Sequence, residues 1–176
     1  MSDGSNRQGM VRILICGERF RGDDGAAIRA AEKLDAATRL IVEIVEVGQL
    51  SVEALLDIPE GVALIVADAA TGVAAGQVVT LPLSEIGARG AGGAGGAGGA
   101  GGAGGAGATP ASSHALPPDQ VLALAEELRG RPLRGSFVGI GGAEFGHGER
   151  LSAAVEAGLP AFAAVLADEI RRLAAG

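Results

Sequence analysis

Three short, largely apolar runs constrain this chain more than anything else in it: VRILIC at 11–16, VALIVA at 62–67 and GSFVGI at 135–140. VALIVA is continuous: a strand with no polar side has nothing to offer water, so it must be covered on both faces, as the strands of a parallel sheet are, and VRILIC and GSFVGI read as buried strands beside it. The intervening segments fit that demand. Residues 26–34 repeat apolar side chains at three- and four-residue spacing and read as a helix, with Asp23 or Asp24 where its N-cap should stand. LIVEIVEV at 40–47 alternates and reads as a second strand. Residues 49–58 read as a short helix with Leu50, Ala54, Leu55 and Ile58 on one face, stopped by Pro59 and Gly61. Residues 77–83 read as a fourth strand, reached through a turn at 74–76. Residues 118–129 read as a helix whose Asp119 and Arg129 suit its dipole. Residues 152–173 read as a long amphipathic helix capped by Ser152, with a kink expected at 158–160. The order β α β α β β α β α predicts an α/β fold of three layers: a mostly parallel, twisted sheet of about five strands with helices on both faces.

One stretch does not belong to that pattern. Residues 90–108 read GAGGAGGAGGAGGAGGAGA and hold 12 of the 31 glycines. The tract has no proline, and a lone chain cannot form a triple helix, so a flexible Gly/Ala-rich insert is expected there. Residues 1–10 are polar and read as a disordered tail; residues 11–176 read as a single α/β domain around the insert.

Composition excludes several kinds of function. With four Phe and neither Trp nor Tyr, the chain has no stacking platform for single-stranded nucleic acid. A net charge of −7 and a pI near 4.8 repel phosphate backbones and anionic lipid, so neither nucleic acid nor membrane is an expected partner. A single cysteine and two histidines exclude a disulfide framework and a Cys-rich zinc site. The N-terminus has no signal-peptide apolar region, and no run is long enough to span a bilayer, so a cytoplasmic monomer is expected.

In a parallel sheet, ligands bind beyond the carboxyl ends of the strands. Three residues able to carry chemistry fall on that side: Asp24 after the first strand, Asp68 at the end of the third, and His114 in SSHALPP beyond the insert. Two carboxylates and an imidazole make a mixed oxygen and nitrogen set that suits a borderline divalent metal. Each also has a plainer reading: Asp24 as an N-cap, Asp68 as a strand-end turn residue, His114 as part of a helix approach. Cys16 is a nucleophile candidate, though a cysteine ending an apolar strand is more often a small buried side chain. His147 reads as a solvent-facing loop residue. The glycines of GIGG at 139–142 suggest a phosphate cradle only weakly, since no GxGxxG opens a helix after the first strand.

Four ordered segments resemble the hydrogenase maturation proteases, endopeptidases that trim the C-terminal tail of the nickel–iron hydrogenase large subunit. GERFRGDDG directly after VRILIC is similar to that family's GNxxRGDDG-type opening. VALIVADAATGVAAGQVVTL resembles its strand ending in Asp-Ala, SSHALPPDQVLALAEEL its S-x-H segment before a helix, and FVGIGGAEFGHGERLSAAVEAGLP its closing stretch. The resemblance spans roughly residues 11–173 apart from the insert. It implies that Asp24, Asp68 and His114 contact a divalent metal, the nickel carried by the immature large subunit, and that no nucleotide or organic cofactor takes part. It also implies an aspartic-type peptidase in which Asp24 or Asp68 activates water. A non-catalytic metal-binding or chaperone-like partner of the large subunit, and a Cys16-dependent hydrolase, are the alternative readings. The chain departs from the pattern at Glu18, where the family has Asn, at Ala26-Ala27, where a further Gly is usual, and in the length of the insert.

Overall fold

The structure is a computed structural model and describes residues 10–92 and 116–176. Its strands are β1 (Val11–Cys16), β2 (Val42–Gly48), β3 (Ala63–Ala70), β4 (Val78–Pro82) and β5 (Gly135–Gly141). They form one sheet in the order β2-β1-β3-β5-β4. β1 pairs in parallel with β2 and β3, β3 pairs in parallel with β5, and β4 runs antiparallel to β5. The helices are α1 (Ala26–Glu32), α2 (Ala36–Arg39), α3 (Val52–Leu56), α4 (Leu83–Gly92), α5 (Pro118–Arg129) and α6 (Ala153–Ala174).

The continuous run VALIVA has the cause inferred from it, and its neighbours share it. Side chains alternate across a strand, and both faces of the inner strands are covered. On one face Ile13, Ile15, Ala63, Ile65, Val138 and Ile140 pack with α1 and with Phe162, Leu166 and Ile170 of α6. On the other, Leu14, Cys16, Leu64 and Val66 pack with Leu55 of α3, Leu83 of α4 and Val121, Leu122 and Ala125 of α5. The expected α/β layering, with a mostly parallel sheet of five strands and helices on both faces, is the one observed.

Several boundaries differ from expectation, each for a local reason. α1 stops at Glu32, and a separate turn of helix, α2, follows, capped by Asp35, which accepts from Thr38 N at 2.7 Å. α3 is half the expected length because Ser51, accepting from Ala54 N at 3.3 Å, starts it late. β3 does not end at Asp68: β5 accompanies it two residues further, Ala69 opposite Ile140 and Ala70 opposite Gly141. α4 was not foreseen. It begins at the fully buried Leu83 and runs into the Gly/Ala tract, so residues 90–92 are helical and not linker. It lies so close to α5 that a Cβ on Gly87 would stand 3.1 Å from the Glu126 carboxylate. Residues 93–108 of the expected insert and residues 1–9 of the expected tail lie outside the described residues. Ser152 caps α6 as expected, accepting from Val155 N at 3.4 Å, and the helix continues through Pro160 for 22 residues.

The crossover from β1 to β2 carries α1 on one face of the sheet; the crossover from β2 to β3 carries α3 on the other. The chain therefore reverses its direction of travel between β1 and β3, and open α/β sheets bind ligands at such a switch point.

Candidate active site

β1 and β3 stay paired up to Ile15 and Ala67 and then part, because Cys16 turns to pair with Gly48 of β2. The opening is lined by Asp68 on β3 and by the loop that follows β1. That loop turns on Gly17, whose φ is +103°; a Cβ there would run into the carbonyl oxygen of Asp24, so only glycine lets the chain fold back so closely. Glu18 N then donates to Asp24 Oδ2 at 2.9 Å, which closes the loop and orients the Asp24 carboxylate. Glu18 itself, the departure from the family's Asn, is exposed at this loop.

Neither aspartate of the doublet caps α1. The N-cap is Gly25, with no side-chain bond to the helix. Asp23 is instead fully buried and faces the chain beyond β5. Its Oδ2 accepts from Ala143 N at 2.8 Å, Glu144 N at 2.9 Å and Ser152 Oγ at 2.8 Å, and its Oδ1 accepts from Ser152 N at 2.6 Å. Burial alone would raise its pKa, but these four donors outweigh burial and hold it below the usual carboxylate range. Sequence reasoning placed Asp23 only as a cap. Its partners lie more than a hundred residues away, so nothing local signalled the role.

Asp68 is half-buried, and its Oδ1 accepts from Ala69 N at 2.7 Å. Burial pushes its pKa up to about 7; the Ala69 N–H opposes the shift and the nearby charge of Asp24 adds to it. Asp24, in the loop after β1, and Asp68, on β3, both lie on the side of the sheet where the switch point opens. The third expected member, His114, lies outside the described residues. Among the described residues, no group of three or more His, Cys, Asp or Glu side chains is placed to hold a metal ion. The donor chemistry still fits a divalent cation: burial, with the charge of Asp24 added, disfavours the Asp68 carboxylate, and a cation would offset both.

Cys16 sits behind the pair and is 2 % exposed. Burial raises its thiol pKa, and the charges of Asp68 and Asp24 raise it further. Its burial and the raised pKa speak against the reading as a Cys16-dependent hydrolase. The GIGG glycines offer no phosphate cradle either: Gly141 N donates to Gln77 O at 2.8 Å and Gly142 N to Ala70 O at 3.1 Å. His147 is exposed, as expected.

No family profile matches the chain, and no curated protein matches it in sequence. Solved structures do. The hydrogenase maturating endopeptidase HybD from E. coli superposes with a TM-score of 0.64 at 19% identity, over 93% of each chain. The [NiFe] hydrogenase maturation protease HybD from Thermococcus kodakarensis gives 0.61 at 22% identity, over 90% of this chain and 97% of that one. The maturation protease HycI from Thermococcus kodakarensis KOD1 gives 0.56 at 20% identity, over 96% and 95%. The chain has the fold of the hydrogenase maturation endopeptidases. In this chain Asp68 lies near the carboxyl end of β3 and Asp24 in the loop that follows β1, where the topology opens the sheet. No helix among the described residues is long and apolar enough to cross a membrane.

Proposed function

We propose that the protein is an endopeptidase that removes the C-terminal extension of a nickel–iron hydrogenase large subunit once that subunit has received its metal. The observation that carries the reading is the position of Asp24 and Asp68 at the switch point of a sheet that shares its fold with the hydrogenase maturation endopeptidases. In this reading Asp24, Asp68 and His114 contact the nickel of the substrate, which belongs to the large subunit and not to the protease. Contact with the loaded metal places the scissile peptide beside the carboxylates. One of the pair then takes a proton from the attacking water, and a carboxyl group poised near neutral pH suits that exchange.

The test is incubation of the purified protein with a nickel-loaded large subunit that still bears its tail. Asp24→Asn and Asp68→Asn should each slow cleavage by about 100-fold or more, while Cys16→Ala cleaves at the wild-type rate. Stable binding without cleavage by the wild-type protein would replace this reading with that of a metal-binding chaperone.

A further inference from the structure

The loop that carries Asp24 also carries a large apolar side chain that the fold does not use. The chain has four phenylalanines. Phe162 is fully buried, Phe137 packs against the core, and Phe145 lies against Gly142. Phe20 is 63 % exposed.

That exposure does not come from a slack loop. Phe20 O accepts from Gly148 N at 2.8 Å, Arg21 N donates to Glu18 O at 3.1 Å, and Gly22 N donates to Gly148 O at 2.7 Å. Beyond them Asp23 is fixed by its four donors, and Glu18 N fixes Asp24. The backbone on both sides of the ring is therefore held, so a partner that covers the ring need not order the loop beneath it. Exposure alone is not the argument: Leu40 is 88 % exposed but precedes β2, at the opposite edge of the sheet.

Phe20 lies four residues before Asp24 on the same hydrogen-bonded loop. A protein substrate that reaches Asp24 therefore comes beside the ring, and the binding energy of a protein partner concentrates on a few such aromatic side chains.

Resting on the function proposed above, we infer that Phe20 is a docking residue for the protein substrate, taking an apolar side chain of the precursor next to the segment presented to Asp24 and Asp68. The ring touches no reacting atom, so its removal weakens binding and spares the chemistry.

Steady-state cleavage of the nickel-loaded, tail-bearing large subunit tests this with the wild-type protein and the Phe20→Ala and Phe20→Leu variants. Phe20→Ala should raise KM about tenfold or more, with kcat within about twofold and the melting temperature unchanged. Phe20→Leu should restore most of the loss. An unchanged KM for Phe20→Ala, with the wild type active, overturns the docking role alone. A fall in kcat and melting temperature together makes Phe20 a structural residue and also overturns it. A wild-type protein that neither binds nor cleaves the precursor removes the proposed function, and the docking role with it.

Discussion

A carboxyl group in water gives up its proton near pH 4. Asp68 keeps its proton to about pH 7, because it is part-buried and its nearest charged neighbour, Asp24, has the same sign. This has a cost that depends on pH. In the unfolded chain Asp68 titrates near 3.8. Between that value and about 7 the folded state holds a proton that the unfolded state has released, so stability falls as pH rises through this window. Below the window both states are protonated and the penalty is absent; above it the penalty is complete. Asn has nearly the shape of the protonated side chain and carries no charge, so Asp68→Asn escapes the penalty. Thermal melts should show the variant no more stable than wild type at pH 4 and increasingly more stable up to pH 8. The same difference at both pH values would mean that Asp68 is freely solvated.

At the scale of elements, the neighbouring Asp23 does different work. It ties the loop after β1 to the loop after β5, bridging the ends of strands that are not adjacent in the sheet. Removing a buried acceptor of this kind leaves two or more donors unpaired, at about 1–3 kcal/mol each. Asp23→Ala should therefore lower stability by about 3 kcal/mol or more, read by chemical denaturation. Asp24→Ala, which frees only the Glu18 amide on an exposed loop, should cost about 1 kcal/mol or less. Equal losses would contradict the division of roles. The strands and the long helices were legible in sequence, because burial on both faces and helical spacing leave a pattern in the order of residues. β1 and α5 have the bounds the pattern gave them. The clamp was not legible, since an aspartate before a helix looks like a cap whatever it bonds. α4 was missed because half of it is written in Gly and Ala, and only contact with α5 and the burial of Leu83 make it a helix. Gly158 is similar: it weakens the interior of α6 by about 1 kcal/mol relative to Ala, yet a Cβ there would collide with the carbonyl of Gly76.

For the whole molecule, parallel topology gathers what the sequence scatters. Every strand but β4 ends on the same side of the sheet, so residues 24 and 68 fall on that side although 44 positions separate them. Strand order alone gives that side for both, whereas the third candidate depends on chain between α4 and α5 that carries no strand pattern. The net charge of −7 acts in the same direction as the pair, drawing cations toward the molecule and repelling phosphates. Free nickel can therefore serve as a probe of the site without the large subunit. Calorimetric titration at pH 8 should show tightest binding by the wild-type protein. Asp24→Asn, Asp68→Asn and His114→Ala should each weaken it about tenfold or more, and Cys16→Ser should leave it unchanged because that thiol stays protonated. Below about pH 7 nickel must displace the proton of Asp68, so wild-type affinity should fall by up to about tenfold per pH unit. Asp68→Asn has no such proton to lose and should show a shallower dependence. Equal nickel affinity in the wild type and the three ligand variants would sink the assignment of Asp24, Asp68 and His114 as the metal-contacting set, while leaving the fold untouched.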